Sequence, residues 1–357
     1  VTCAGDPSSH HQVAHAALAV GSVDGRVDRG TREGAETTGL APGATRAFGA
    51  GHRLRFEKPD PLRTCFERDL DRIQHSRPFR RLAGKCQVYL APDDDHLRTR
   101  LTHAIEVAQV AVAVSRAVGL NVALTAAAAT GHDCGHGPAG HASEEALTPY
   151  VDGGYHHAVY GADIVLEPLN LCEETLDAIR NHSWNRPAPI TPEGEVVAWA
   201  DRMAYVCHDF EDAVSAGVVG PRDLPDAVTD VLGDRRSVQL DRLIGALVEA
   251  IVTTGTVALH RREADALEAF RAFNYEHIYL RPDAVDQADR VIGLLRSLTE
   301  FFIDAPSGTA PGPPPVAGTD EAVAAAVRYV SGMTDRFALR LAVEELGWKP
   351  DALPRGV

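Results

Sequence analysis

The amino-acid sequence predicts an all-α fold with a short C-terminal helical extension, on three observations. Apolar residues recur at three- and four-residue spacing through several long stretches. Glycines stand where those stretches should stop. Alternating apolar and polar runs are nearly absent, and Lys85 to Leu90 is the one short strand candidate.

Residues 1 to about 55 are rich in Gly, Ala, Thr and Ser and lack an apolar period, which predicts a disordered tail. His10, His11 and His15 fall there and read as solvated side chains. Helical spacing begins with Asp69 to Leu82 and continues through Leu101 to Val118, Glu193 to Ala216, Val238 to Val252 and Ala284 to Ile303. Gly119, Gly131 and Gly217 sit at expected helix ends. Pro306 to Gly318 is a Pro/Gly-rich break, and Asp320 to Gly347 is one further helical stretch. The chain therefore divides into a tail (1–55), a helical core (56–304), a linker (305–318) and an extension (319–357). No internal repeat is visible.

Composition narrows the function. The 357 residues are 45% hydrophobic and 24% charged, with a formal charge of −15, which argues against a bulk-basic nucleic-acid binder. The most apolar stretch, 101–130, is interrupted by His103, Glu106, Gln109, Arg116 and Asn121, so no membrane span is expected. No secretory signal is read at the N-terminus, and the expected location is cytoplasmic. Six widely spaced cysteines without a CxxC pair argue against a zinc ribbon and a disulfide scaffold. Between Arg53 and Arg100, twelve Lys/Arg stand against eight Asp/Glu. Ordinary surface variation and a basic wall facing an anionic ligand account for that local excess equally well.

Sixteen histidines suggest a metal or acid/base site. The densest cluster runs Gly131-His132-Asp133-Cys134-Gly135-His136-Gly137-Pro138-Ala139-Gly140-His141-Ala142-Ser143-Glu144. An adjacent His-Asp pair can offer a ring nitrogen and a carboxylate oxygen to one cation, and Gly131 and Gly135 permit the tight backbone this requires. One pair alone is weak, and His208-Asp209 is a second, which reads as pocket lining. His103 lies in the first turn of a predicted helix, and Asp201 lies among Trp199, Ala200, Met203 and Ala204, where a carboxylate is costly to bury without a cation. Singly, each reads as an ordinary core or surface group. Together, His103, His132, Asp133 and Asp201 form a two-imidazole, two-carboxylate set that suits Mn, Mg, Fe, Zn or Ni without choosing among them. No Gly-rich phosphate loop of the GxxxxGKS/T type appears.

The order H…HD…D resembles the HD-domain superfamily of metal-dependent phosphohydrolases. Longer blocks are similar to the deoxyguanosine triphosphate triphosphohydrolases (dGTPases): Asp71-Arg72-Ile73-Gln74-His75-Ser76, Phe79-Arg80-Arg81-Leu82, Lys85-Cys86-Gln87-Val88, Thr99-Arg100-Leu101-Thr102-His103, the 132–144 block, Ala200-Asp201-Arg202-Met203-Ala204-Tyr205, Tyr275-Glu276-His277-Ile278-Tyr279 and Gly332-Met333-Thr334-Asp335-Arg336. The resemblance spans about residues 60–346 and implies an HD-type helical fold. It also implies cleavage of a dNTP between the 5′ oxygen and the α-phosphorus, releasing deoxynucleoside and triphosphate. A divalent ion, Mg or Mn favoured, would sit on His103, His132, Asp133 and Asp201. His141 would be the catalytic histidine, oriented by Glu144, and His136 would contact phosphate or take part in catalysis.

Arg100, Arg202 and Lys85 could meet the triphosphate. Asp201, Tyr205, His208 and Asp209 share one helical face, which lets Tyr205 and Asp209 line the sugar pocket. Gln87 matches a glutamine that contacts sugar or base, and His157 a phosphate contact. Ala139 replaces a usual Phe, Cys134 replaces an aliphatic residue, and the block after His157 lacks the usual Asn, Gln and Arg. Relatives assemble into homo-oligomers, and some take a nucleotide activator. The alternatives are another HD-type phosphohydrolase acting on monophosphates or cyclic nucleotides, and an inactive scaffold or nucleic-acid-binding module.

Overall fold

The structure, a computed structural model, describes residues 25–90, 94–309 and 312–354. Among them stand fifteen α-helices and no strand. Helix α1 (Arg29–Gly39) is capped by Asp28, whose side chain accepts from the Thr31 N–H. It buries none of its own residues and is held by polar contacts. Glu36 accepts from the Ala47 N–H at 2.6 Å and from Asn121 Nδ2 at 3.1 Å. Arg53, its side chain 2% exposed, donates to Asp69 at 2.6 Å and to the carbonyls of Ala50, Cys65 and Asn170. Residues 25–55 are thus built into the body, which corrects the expected tail. An apolar period could not reveal them, because hydrogen bonds and an ion pair hold the segment. His10, His11 and His15 lie outside the described residues.

The helix expected over 69–82 is two helices, α2 (Cys65–Gln74) and α3 (Arg77–Arg81). Ser76 caps the second, and Pro78 cannot donate the hydrogen bond that would continue the first. Segment 85–90 forms no strand; Cys86 and Thr99 make an isolated bridge. The ladder stops there because Thr99 is already the cap of α4 (Arg100–Val118), sharing reciprocal hydrogen bonds with Thr102.

Helix α4 is the one helix among the described residues long and apolar enough to cross a membrane by length and composition. Here it runs through the core instead, with Ala104, Val107, Val110, Ala111 and Val114 buried. It packs against α5 (Val122–Gly131), α9 (Pro192–Ser215) and α11 (Arg236–Thr254). Between α5 and α9 come α6 (His141–Leu147), α7 (His157–Tyr160) and α8 (Glu173–Arg180). Gly119, at φ 72°, ends α4 in the left-handed conformation that favours glycine.

Beyond α9 follow α10 (Asp226–Leu232), α11, α12 (Arg261–Asn274), α13 (Pro282–Asp304), α14 (Asp320–Ser331) and α15 (Asp335–Glu344). The expected single helix over 320–347 is split in two before Asp335, where Thr334 takes an extended backbone at the start of α15. These last helices are not an appendage. Leu295 and Leu298 of α13, Val327 and Val330 of α14 and Ala338 of α15 share one buried cluster with Ala146 and Leu147 of α6.

Candidate active site

Two helix ends and one helix middle bring the four predicted donors together. His103 sits in the first turn of α4, His132 and Asp133 directly follow α5, and Asp201 lies within α9. His103 Nε2 is 3.0 Å from Asp201 Oδ1. His132 Nε2 is 3.6 Å from that same oxygen and 3.4 Å from Asp133 Oδ1. Adjacent ligands of a six-coordinate ion bound at 2.0–2.2 Å lie about 3 Å apart, so the spacing suits one cation.

His132 donates its Nδ1–H to the Ala129 carbonyl at 2.7 Å, which turns Nε2 into the site. That atom is buried and has no hydrogen-bond partner. Burial alone would raise both carboxyls. The His103 hydrogen bond and His132 reverse this at Asp201, as His132 and Arg100 do at Asp133, holding both well below the usual range. Two ionised carboxylates and an orphaned imidazole nitrogen make a set that can hold a divalent metal.

A loop and two short helices enclose the next layer. Arg100 Nη1 donates to Asp133 Oδ2 at 2.8 Å. Gly135 lies so close to α7 that a methyl group on it would come within 2.0 Å of the His157 carbonyl. His136 is buried, 3.2 Å from Asp133 Oδ1, and stacks on His157 at 3.7 Å between centroids. Burial, then Arg100, push the His136 imidazole well down, so it is neutral. Glu144 pairs with His157 Nδ1 and lies 3.4 Å from His141 Nδ1. His157 Nε2 in turn faces His182 Nε2 at 3.2 Å. His182 donates its Nδ1–H to the Ile179 carbonyl at 2.7 Å, the same local geometry as His132.

A cavity of about 750 Å³ opens onto this cluster. Its floor includes Arg100, His103, Asp133, His136 and Asp201, and His141 and Glu144 stand at its side. Tyr205, Asp209, Arg271, Tyr275, Tyr279 and Arg281 line it as well. Tyr279 donates its hydroxyl to Asp209 Oδ2 at 2.5 Å, and burial pushes the Asp209 carboxyl up to about 7.

Residues 100–206 match the HD domain and 257–344 the phosphohydrolase-associated domain. A deoxyguanosinetriphosphate triphosphohydrolase-like protein from Caldanaerobacter subterraneus subsp. tengcongensis is 37% identical over 309 residues, covering 84% of this chain and 90% of that one. The chain belongs to this triphosphohydrolase-like family of HD phosphohydrolases. A namesake from Clostridium tetani is 32% identical over 336 residues, covering 90% of this chain and 96% of that one. One from Clostridium perfringens strain 13 is 37% identical over 264 residues, covering 70% and 77%.

The HD match holds all four donors, whereas the associated domain supplies Arg271, Tyr275, Tyr279 and Arg281 to the cavity. The second match also runs through the Pro/Gly-rich break expected to divide the chain. Gln87, Arg100, His157, Arg202, Tyr205 and Asp209 line the cavity. Lys85 does not. It is 2% exposed, and its Nζ donates to the carbonyls of His136 and Ser331, so it is spent inside the fold and the expected phosphate contact is corrected.

His157 is likewise engaged at both ring nitrogens, by Glu144 and His182, which leaves neither for phosphate in this arrangement. Of the pair His208-Asp209, only Asp209 faces the cavity; His208 is buried 3.5 Å from Glu106. Nor does 53–100 form a basic wall. Arg53, Arg55, Arg63, Arg72 and Arg98 pair with acidic side chains of the protein, and positive charge reaches the cavity from Arg100, Arg186, Arg202, Arg271 and Arg281. Cys134 is buried, and burial pushes its thiol up to about 12, so it is inert.

Sequence reasoning missed His182, Trp184 and Arg271. His182 carries a faint signal, since it follows a helix end as His132 does. Trp184, whose ring lies 3.5 Å from the Arg202 guanidinium carbon, carries none.

Proposed function

We propose that this protein hydrolyses deoxynucleoside triphosphates to deoxynucleoside and triphosphate, with a divalent ion, Mg or Mn first, on His103, His132, Asp133 and Asp201. What supports the reading is that His132 lies 3.4 Å from Asp133 and 3.6 Å from Asp201, and that His103, Asp133 and Asp201 line a cavity lined also by five arginines and several aromatic rings. Such an ion supplies Lewis-acid polarisation of the α-phosphate.

The protein's own groups supply the rest. Arg100, Arg202, Arg186, Arg271 and Arg281 meet the triphosphate charge, and the Trp184 ring holds the Arg202 plane. Gln87 Oε1 is buried without a partner and accepts from a sugar hydroxyl or a base N–H. Tyr205 packs on the sugar, and Asp209, braced by Tyr279, hydrogen-bonds the 3′-hydroxyl. Glu144 holds Nδ1 of His141, so the far ring nitrogen is left to carry a proton. Water oxygen joins the α-phosphorus and the bond to O5′ breaks; O5′ takes the proton that His141 provides, and the proton released by the attacking water passes to solvent, from which His141 is reprotonated. His136, neutral and stacked, positions the phosphate beside this pair.

Incubation with each of the four dNTPs and Mn or Mg, resolving nucleoside and phosphate products, tests the reading. Deoxynucleoside with tripolyphosphate is the expected result; orthophosphate or a nucleotide product assigns a different phosphohydrolase chemistry. Assembly into a homo-oligomer and activation by a second nucleotide belong to the same proposal, and light scattering with and without dNTP tests the assembly.

A further inference from the structure

We propose that Trp184 is a positioning residue for polyphosphate capture: its indole holds the Arg202 guanidinium ready, and so sets affinity for the triphosphate rather than the rate of cleavage. The proposal deepens the triphosphohydrolase reading and rests on it for the choice of anion.

The arginines of the cavity are held in different ways. Arg100 donates to Asp133 at 2.8 Å, Arg271 to Glu268 at 3.2 Å and Arg281 to Asp283 at 3.1 Å. Each gives a donor to a carboxylate, which also offsets part of its charge. Among the described residues no carboxylate or carbonyl pairs with the Arg202 guanidinium. Its carbon lies instead 3.5 Å from the centre of the Trp184 ring. A π-face attracts the cation without taking any of its N–H donors, which lie in the guanidinium plane. Arg202 is thereby confined with its full charge, and its hydrogen-bonding edge is left for phosphate oxygens. Ordering a free arginine opposes binding; here the fold has ordered it beforehand.

The second observation is how the indole itself is fixed. Trp184 lies between α8 and α9, and its Nε1–H donates to the Ala198 carbonyl at 3.1 Å. Ala198 stands one turn before Arg202 in α9, so ring and guanidinium are registered on the same turn of one helix. Trp199 packs against the ring at an angle of 84°, with 4.6 Å between centroids. Trp184 is nonetheless 47% exposed and lines the cavity together with Arg202. That exposure keeps the ring out of the core, so its loss bears on the cavity more than on folding.

Calorimetric titration of full-length protein with inorganic tripolyphosphate, and separately with deoxyguanosine, tests the pair without any turnover; both runs contain Mg(II). Trp184→Leu should weaken tripolyphosphate binding about two- to fivefold, the scale of an exposed cation–π contact, and leave deoxyguanosine unchanged. Trp184→Phe, which keeps a π-face, should recover most of the loss. In an Arg202→Met background Trp184→Leu should have no further effect. In turnover of a dNTP, KM should rise by the same factor at unchanged kcat. An unchanged tripolyphosphate affinity, an equal loss for deoxyguanosine, or a loss that persists without the guanidinium overturns the proposal. So does a fall in kcat at constant KM. Trp184→Gln runs beside Trp184→Leu, so that one well-folded variant is enough to decide. A wild type that binds tripolyphosphate through the pair yet cleaves no dNTP sinks the triphosphohydrolase reading and leaves this one standing, so the two fail separately.

Discussion

Arg100 spends its first hydrogen bond on Asp133, 2.8 Å away, and both side chains are buried. The guanidinium therefore holds a metal-facing carboxylate in place before it meets any substrate. Arg100→Ala should lower divalent-metal affinity about ten- to a hundredfold, the usual effect of losing a group that orients a ligand. Metal-free protein should lose about 3–5 kcal/mol, because a buried carboxylate is left unpaired. Metal titration and urea unfolding read the two effects; an unchanged affinity would confine Arg100 to substrate contact.

His141 is exposed to the cavity yet leans on Glu144 at 3.4 Å. Because it lies outside the four-donor set, His141→Ala should retain bound metal while turnover falls by roughly two or more orders of magnitude. Metal content and dNTP hydrolysis measured on the same preparation check this. Wild-type turnover would take His141 out of the reaction.

Lys85 makes stability depend on pH. Burial, with Arg81 adding, pulls its ammonium down to about 7. Between about pH 7 and the ordinary lysine value near 10.4, the unfolded chain holds a proton that the folded one lacks. Folding stability from this group then rises with pH, by about 1.4 kcal/mol per unit. Below about 7 the penalty is present in full. A neutral amine still has two N–H donors for the carbonyls of His136 and Ser331. Wild type should accordingly gain on Lys85→Met as pH rises from 7 to 10, measured by denaturant unfolding of metal-free protein; a constant difference would contradict the burial account.

Arg53 tests the ordered N-terminal segment. Its side chain pairs with Asp69 and reaches three carbonyls. Arg53→Ala should cost about 3–5 kcal/mol, the scale of a broken buried ion pair. A change within about 0.5 kcal/mol, as at ordinary surface positions, would mean that the segment is loosely attached.

Long amphipathic helices were the most legible feature, since Leu101 to Val118 and Glu193 to Ala216 fall within one residue of α4 and α9. Periodicity reports burial of an apolar face, so it was silent on α1, which buries no residue of its own. It also ran through Pro78 and Thr334, where a missing donor and an extended residue interrupt helices that the apolar pattern would continue. In the site, adjacent His132 and Asp133 advertised themselves, and Asp201 stood out against apolar neighbours. His182 did not, because its meaning depends on His157, which lies 25 positions away. Lys85 was misread for the reverse reason: a lone cation in a basic stretch looks available, and only the fold shows its ammonium facing two carbonyls.

The Asp335 carboxylate accepts from the Cys86 N–H at 2.7 Å and the Ala139 N–H at 2.8 Å. One side chain near the end of the chain thus staples the turn that presents His136 and His141. A fragment trimmed after α13 would free that turn and uncover the α13 and α6 surfaces beneath α14, so the minimal working unit must extend past residue 335.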